Sequence, residues 1–146
     1  MILKKTLQYS LYLVLFWVLL ACNNQPKLED TQLLNGYWEI EEVKKPNGQI
    51  VAFKFNENVD YIELENGEGF RQKTRPQFTG GYQSNGVQEA IKVLQQGDSL
   101  VLQYSTPQDS WQETLLQVAP EQFKVRNPQG IIYTYKKFEG YDYGEK

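Results

Sequence analysis

The chain has no histidine at all, and only one cysteine and one methionine among its 146 residues. Without histidine there is no Ser-His-Asp triad, and every histidine-based metal site is excluded. A single cysteine has no partner for an intrachain disulfide, so packing alone must hold the fold together. Basic residues are scarce too, 15 against 18 acidic ones, for a formal charge of −3. A nucleic-acid binder is expected to show a basic face, and this balance argues against one. No glycine-rich loop is placed to cradle a phosphate, since Gly67-Glu68-Gly69 sits in a hairpin pattern with no helix after it. No cofactor is implied. Carboxylates alone can hydrolyse glycosides, and Glu63, Glu65 and Glu68 lie close in sequence. Glu63 and Glu65 alternate with apolar neighbours, however, as a solvated strand face does. The chain reads as a non-enzyme.

What is present begins with an address. The apolar stretch Leu11 to Ala21 is too short for a hydrocarbon core, which needs about 20 residues. With Lys4 and Lys5 before it, it fits the charged start and roughly 7–15 residue apolar region of a secretory signal. It ends in Leu19-Leu20-Ala21-Cys22, which resembles the lipobox of bacterial lipoproteins. That resemblance implies that the Cys22 sulfur receives a diacylglycerol, the leader is cut before it, and the new amino group is acylated. The alternative is an ordinary cleavage site or a short anchor helix beside a spectator cysteine. Several acyl chains, each adding about 0.8 kcal/mol per buried methylene, hold a protein stably on a bilayer where one does not. Asn23 in place of an aspartate favours the outer membrane, by analogy with bacterial sorting.

The expected organisation is a signal peptide over 1–21, a lipid-anchored polar tether over 22–32, a folded domain over 33–138 and a flexible tail over 139–146. Losing Lys4 and Lys5 leaves 13 basic residues against 18 acidic ones, a formal charge of −5. That argues against electrostatic adhesion to anionic lipid.

Asp30 to Leu34 suggests one helical turn, and from Gly36 onward the hydrophobic period is two. Strands are predicted over 37–43, 50–55, 59–65, 69–74, 79–84, 89–95, 99–105, 111–118, 122–127 and 131–138. Turn signals separate them, among them Pro46-Asn47-Gly48, Asn66-Gly67, Gly80-Gly81, Asn85-Gly86 and Gly97-Asp98. Glycine and asparagine supply the positive φ of hairpin turns, and proline and aspartate initiate them. Alternation gives each strand one apolar face: Trp38 with Ile40, Ile62 with Leu64, Leu100 with Leu102 and Tyr104, Phe123 with Val125. Short hairpins favour up-and-down order, and closure removes exposed sheet edges. The expected fold is all-β, an antiparallel up-and-down barrel of about eight to ten strands. A β-sandwich of the same strands is the alternative.

Leu34-Asn35-Gly36-Tyr37-Trp38-Glu39-Ile40 resembles the G-x-W opening of lipocalins, above all the small bacterial lipocalin-like lipoproteins. The similarity runs on through IVAFKFNENVDYIELENGEGF, IKVLQQGDSLVLQYS and QFKVRNPQGIIYTYKKF, covering about residues 33 to 138. The resemblance implies that Trp38 sits at the closed base of the barrel, with a basic residue from near the last strand over its ring. Lys136 or Lys137 fills that role, although the best-known lipocalins use an arginine there.

A barrel of about eight strands has just enough interior for side chains or one small ligand. Aromatic residues with a polar tip suit a pocket for an amphipathic molecule, and core filling is the alternative account of them. The stretch 70 to 84, FRQKTRPQFTGGYQS, carries Arg71, Lys73 and Arg75 without one acidic residue. It reads as an anion-favouring lip of the barrel, or as a solvated strand face balanced by acidic neighbours. The candidate ligand contacts are Phe70, Arg71, Arg75, Tyr82, Tyr104 and Tyr133. Two functions stay open. One is a membrane-tethered carrier or sensor with a small apolar or amphipathic ligand in its barrel. The other is an interaction module of an envelope complex, with a filled barrel and an unidentified protein partner.

Overall fold

The structure, a computed structural model, describes residues 25–141. Cys22, the signal segment and the last five residues lie outside the described part. A 3-10 helix over Leu28–Leu34 leads into nine strands: β1 Gly36–Lys44, β2 Ile50–Ala52, β3 Val59–Glu65, β4 Glu68–Pro76, β5 Tyr82–Gln96, β6 Ser99–Ser105, β7 Ser110–Val118, β8 Gln122–Arg126 and β9 Ile132–Lys137. All pairings are antiparallel. Strands β3 to β9 follow one another in sequence order, and β9 returns to pair with β1. The result is a closed barrel of eight antiparallel strands, with the short β2 added beside β1.

The hairpins follow local chemistry. Glu65 pairs with Glu68 across a two-residue turn in which Asn66 (φ 52°) and Gly67 (φ 80°) are both left-handed. That conformation matches the right-handed twist of the flanking strands. The Asn85-Gly86 signal, by contrast, does not end a strand. The two strands expected over 79–84 and 89–95 are one fifteen-residue strand, β5. Its register against β4 shifts between Gln72 and Thr74, opposite Asn85-Gly86-Val87, and Gly86 has φ 79°. A left-handed glycine serves a bulge as well as a turn, and here it bends the strand without reversing it.

Side chains of one parity fill the barrel. Leu34, Trp38, Ile62, Leu64, Ile91, Leu100, Leu102, Tyr104, Leu115, Phe123, Val125 and Tyr135 form one buried cluster. The 3-10 helix plugs one end, burying Thr31 and Leu34 against β3 and β7. It starts at Leu28, so part of the stretch assigned to a tether packs on the barrel. Gly69 shows how tightly the β3–β4 corner is built. It faces Leu64 and Ile91 in register, and a Cβ there would sit 1.8 Å from the Glu63 carbonyl oxygen. Gly69→Ala should therefore lower stability by about 1–3 kcal/mol, the usual cost of overpacking. An unchanged urea midpoint would show that the corner is looser than this.

Candidate functional site

The closed end explains the Leu34-to-Trp38 motif residue by residue. Trp38 is fully buried, its indole nitrogen donates to the Leu34 carbonyl (2.7 Å), and its ring meets Phe123 edge-on at 4.8 Å. Asn35 clamps β3, donating to the Leu64 carbonyl (3.0 Å) while accepting from the Leu64 N–H (2.5 Å). Gly36, at φ 118°, lies under the Lys137 side chain, where a Cβ would come within 2.8 Å of Nζ. Lys137 reaches across, donates to the Asn35 carbonyl (2.6 Å) and holds its ammonium 4.4 Å from the Trp38 ring centre. Lys136 points the other way, to Glu39 at 3.3 Å. Of the two lysines, Lys137 is the one over the tryptophan.

Above this apolar floor the interior becomes charged. Arg71 on β4 stands opposite Ile62 on β3 and Glu89 on β5, so it points inward. Its side chain is only 13% exposed, and its Nε lies 2.5 Å from Glu89. The guanidinium carbon sits 4.3 Å from the centre of the Tyr104 ring. Tyr104 in turn stacks on Trp111 at 5.5 Å. The Tyr104 hydroxyl donates to Glu113, which faces inward opposite Leu102. Glu113 is 8% exposed, and its Oε2 is fully buried with no hydrogen-bond partner. Asp60, also buried, receives Lys73 at 3.0 Å.

Charge states follow from these surroundings. Burial pushes the Glu113 carboxyl up, against the pull of Arg71 and of the Tyr104 hydrogen bond, while Asp60 and Glu89 push it up further. Burial opposes the Arg71 charge, but Tyr104, Asp60, Tyr135 and Glu89 outweigh it and hold the guanidinium protonated. Burial likewise raises the Tyr104 and Tyr135 phenols. Among the described residues, no group of three or more carboxylate or thiol side chains is set to hold a metal ion.

Three of the expected ligand contacts share this interior: Arg71, Tyr104 and the half-buried Tyr133, which packs against the core. The other three do not join them. Phe70 has the opposite parity, pairs with Glu63 and Ala90, and lies on the outer face 6.0 Å from Tyr61. Tyr82 is also outside, stacked on Tyr37 at 3.8 Å. Arg75 is exposed and ion-paired with Glu57. The cations of 70–84 are thus not a free anion-attracting lip, because Arg71, Lys73 and Arg75 each have a carboxylate from another segment. Sequence reasoning missed Glu89, Glu113 and Asp60. Each sits on the inward parity of its strand, two residues from an apolar neighbour.

The outer face carries an aromatic cluster of its own. Tyr37, Tyr61 and Tyr82 continue into Phe138, which meets Tyr141 at 5.2 Å, and Tyr141 contacts Phe55 and Phe78. A shallow cavity of about 200 Å³ runs between the β4–β5 tip and residues 138–141. Tyr141 donates to the Asn56 carbonyl (3.0 Å), so the start of the tail is fastened to the domain.

Fold and site together define a small closed β-barrel with an apolar floor and a charged, aromatic interior. Comparison with protein-family models and with curated proteins finds no match. Among solved structures, the chain is similar to a lipocalin-like protein from Bacteroides uniformis ATCC 8492. That alignment has 10% identity and a TM-score of 0.48, covering 73% of this chain and 99% of that one. An uncharacterized protein from Bacteroides eggerthii DSM 20697 is similar at 10% identity and a TM-score of 0.47, with 72% and 99% covered.

Proposed function

We propose that this chain is a non-enzymatic, lipid-anchored envelope protein whose barrel holds a small amphipathic ligand, as a carrier or sensor. The supporting observation is buried charge where simple filling needs none. Apolar side chains of similar volume often serve stability as well as a buried ion pair, or better. Arg71 with Glu89, and Glu113 with a vacant oxygen, instead put recognition groups above the packed floor. A ligand bound to these groups would set its apolar part against Trp111, Tyr133 and Ile40, which are only partly buried against the core. The anchor rests on the lipobox-like Leu19-Leu20-Ala21-Cys22, and the outer membrane is the destination that Asn23 favours.

A fluorescent amphiphile should bind the full-length protein saturably at micromolar concentration. Trp111→Ala should weaken that binding about tenfold, equivalent to 1.4 kcal/mol. Cys22→Ser should leave an unprocessed precursor and abolish labelling by a clickable fatty acid. Equal labelling of the variant rejects the anchor, and unsaturable binding rejects the carrier. The second reading, an interaction module with a filled barrel, is favoured by the outer aromatic face, where Phe55 and Phe78 (85%) are exposed. Absence of probe binding in folded protein would favour it.

A further inference from the structure

The pairing of charges inside the barrel is uneven. Arg71 is matched by Glu89 and Lys73 by Asp60, but among the described residues no lysine or arginine pairs with Glu113. Its neighbours from the surrounding strands are Arg71 on β4, Asp60 on β3, Glu89 on β5, Tyr104 on β6 and Tyr135 on β9. The only cation among them is already engaged by Glu89. With Glu113 ionised, these groups and Lys73 carry two positive and three negative charges. One oxygen of Glu113 is satisfied by nothing, although a buried carboxylate offers about four acceptor positions. Leaving such a group unmatched is costly unless something supplies a donor.

We propose that the barrel selects ligands whose polar end is a cation or hydrogen-bond donor, an ammonium before a hydroxyl, and that Glu113 Oε2 receives it. This rests on the carrier reading and adds the class of ligand. The Trp111 ring, two residues along the strand from Glu113 on the same face, suits the proposal, since aromatic faces attract a cation held over them. A carboxylate end would meet Asp60, Glu89 and Glu113 with Arg71 already occupied. The preference is opposite to the one that the basic sequence of 70–84 suggests.

Titration calorimetry of the full-length protein in non-ionic detergent, with phenylbutylamine, phenylbutanol and phenylbutanoate, tests this. The three share one apolar body and differ at the polar end. The amine should bind roughly tenfold more tightly than the carboxylate, with the alcohol between them. Glu113→Gln should remove most of the amine's advantage and change the alcohol by no more than about twofold. Amine affinity should also rise with pH as Glu113 loses its proton, because an ammonium pairs with the carboxylate and not with the acid. Equal or tighter binding of the carboxylate overturns the proposal while leaving the carrier reading in place. An amine preference that survives in Glu113→Gln assigns it to the overall negative charge, and also overturns the proposal. Failure of all three ligands and of the fluorescent amphiphile overturns the carrier reading, and this proposal with it. The ranking on the unaltered protein stands as a test even if the variant folds poorly.

Discussion

Trp38→Ala should destabilise the domain by about 3–5 kcal/mol, the range for removing a large aromatic side chain from a packed core. The size of the effect follows from what the ring does at once. It is fully buried, meets Phe123 edge-on, fastens the 3-10 helix through the Leu34 carbonyl, and lies beneath the Lys137 ammonium. Alanine leaves a cavity between floor and plug, and strands Lys137 over empty space. Lys137→Met keeps most of the apolar stem and should cost less, about 1–2 kcal/mol for the cation–π contact and one hydrogen bond. Urea unfolding followed by circular dichroism measures both. Amide exchange over 28–34 should accelerate in Trp38→Ala more than exchange in β6, because the plug loses its anchor while the far strands keep their ladder. A loss below about 1 kcal/mol would mean that the floor closes without the tryptophan.

Most of the barrel was legible because period-two alternation and turn chemistry agree along the chain. Asn66-Gly67 both predicts and forms a two-residue hairpin, and β3 and β6 keep their expected bounds. The β5 merger was not legible, since positive φ at Gly86 suits a bulge and a turn equally, and only cross-strand pairing decides. The site was half legible for a related reason. Alternation puts Tyr104 on an apolar face with Leu100 and Leu102, but Arg71 and Tyr133 stand out by composition alone, without their side of the sheet. Parity would have done more. Asp60 leads Ile62 and Leu64, Glu89 leads Ile91 and Val93, and Glu113 lies between Trp111 and Leu115. An acidic residue in step with an apolar face is either an error in the strand or a buried charge. The outward position of Phe70 follows from the same count, being one residue out of step with Arg71. What parity cannot give is the partner. That Arg71 meets Glu89 rather than Glu113 depends on the β4–β5 register, set by a bulge that the sequence leaves open.

Arg71→Met should cost about 3–5 kcal/mol, the penalty for removing one partner of a buried pair, lessened because Glu89 is 29% exposed and keeps some hydration. Three carboxylates then face the interior with only Lys73 to balance them. The double variant Arg71→Met/Glu89→Met should recover much of the loss, because two apolar side chains of similar volume replace the pair and strand nothing. The coupling between the two substitutions should exceed about 1 kcal/mol, as expected for residues in direct contact. The pH dependence gives a separate check. Arg71 opposes the rise of the Glu113 carboxyl, so without it Glu113 should hold its proton to higher pH in the folded state. A carboxyl raised on folding binds more protons in the native than in the unfolded state above its ordinary value. Its contribution to stability is therefore present at low pH and is lost as pH rises through the folded pKa. Arg71→Met should thus lose stability toward neutral pH more steeply than the unaltered protein. In Arg71→Met/Glu113→Gln that extra slope should disappear. Parallel curves for Arg71→Met and the unaltered protein would show that Glu113 does not feel Arg71, and that the charged interior is two separate pairs instead of one cluster.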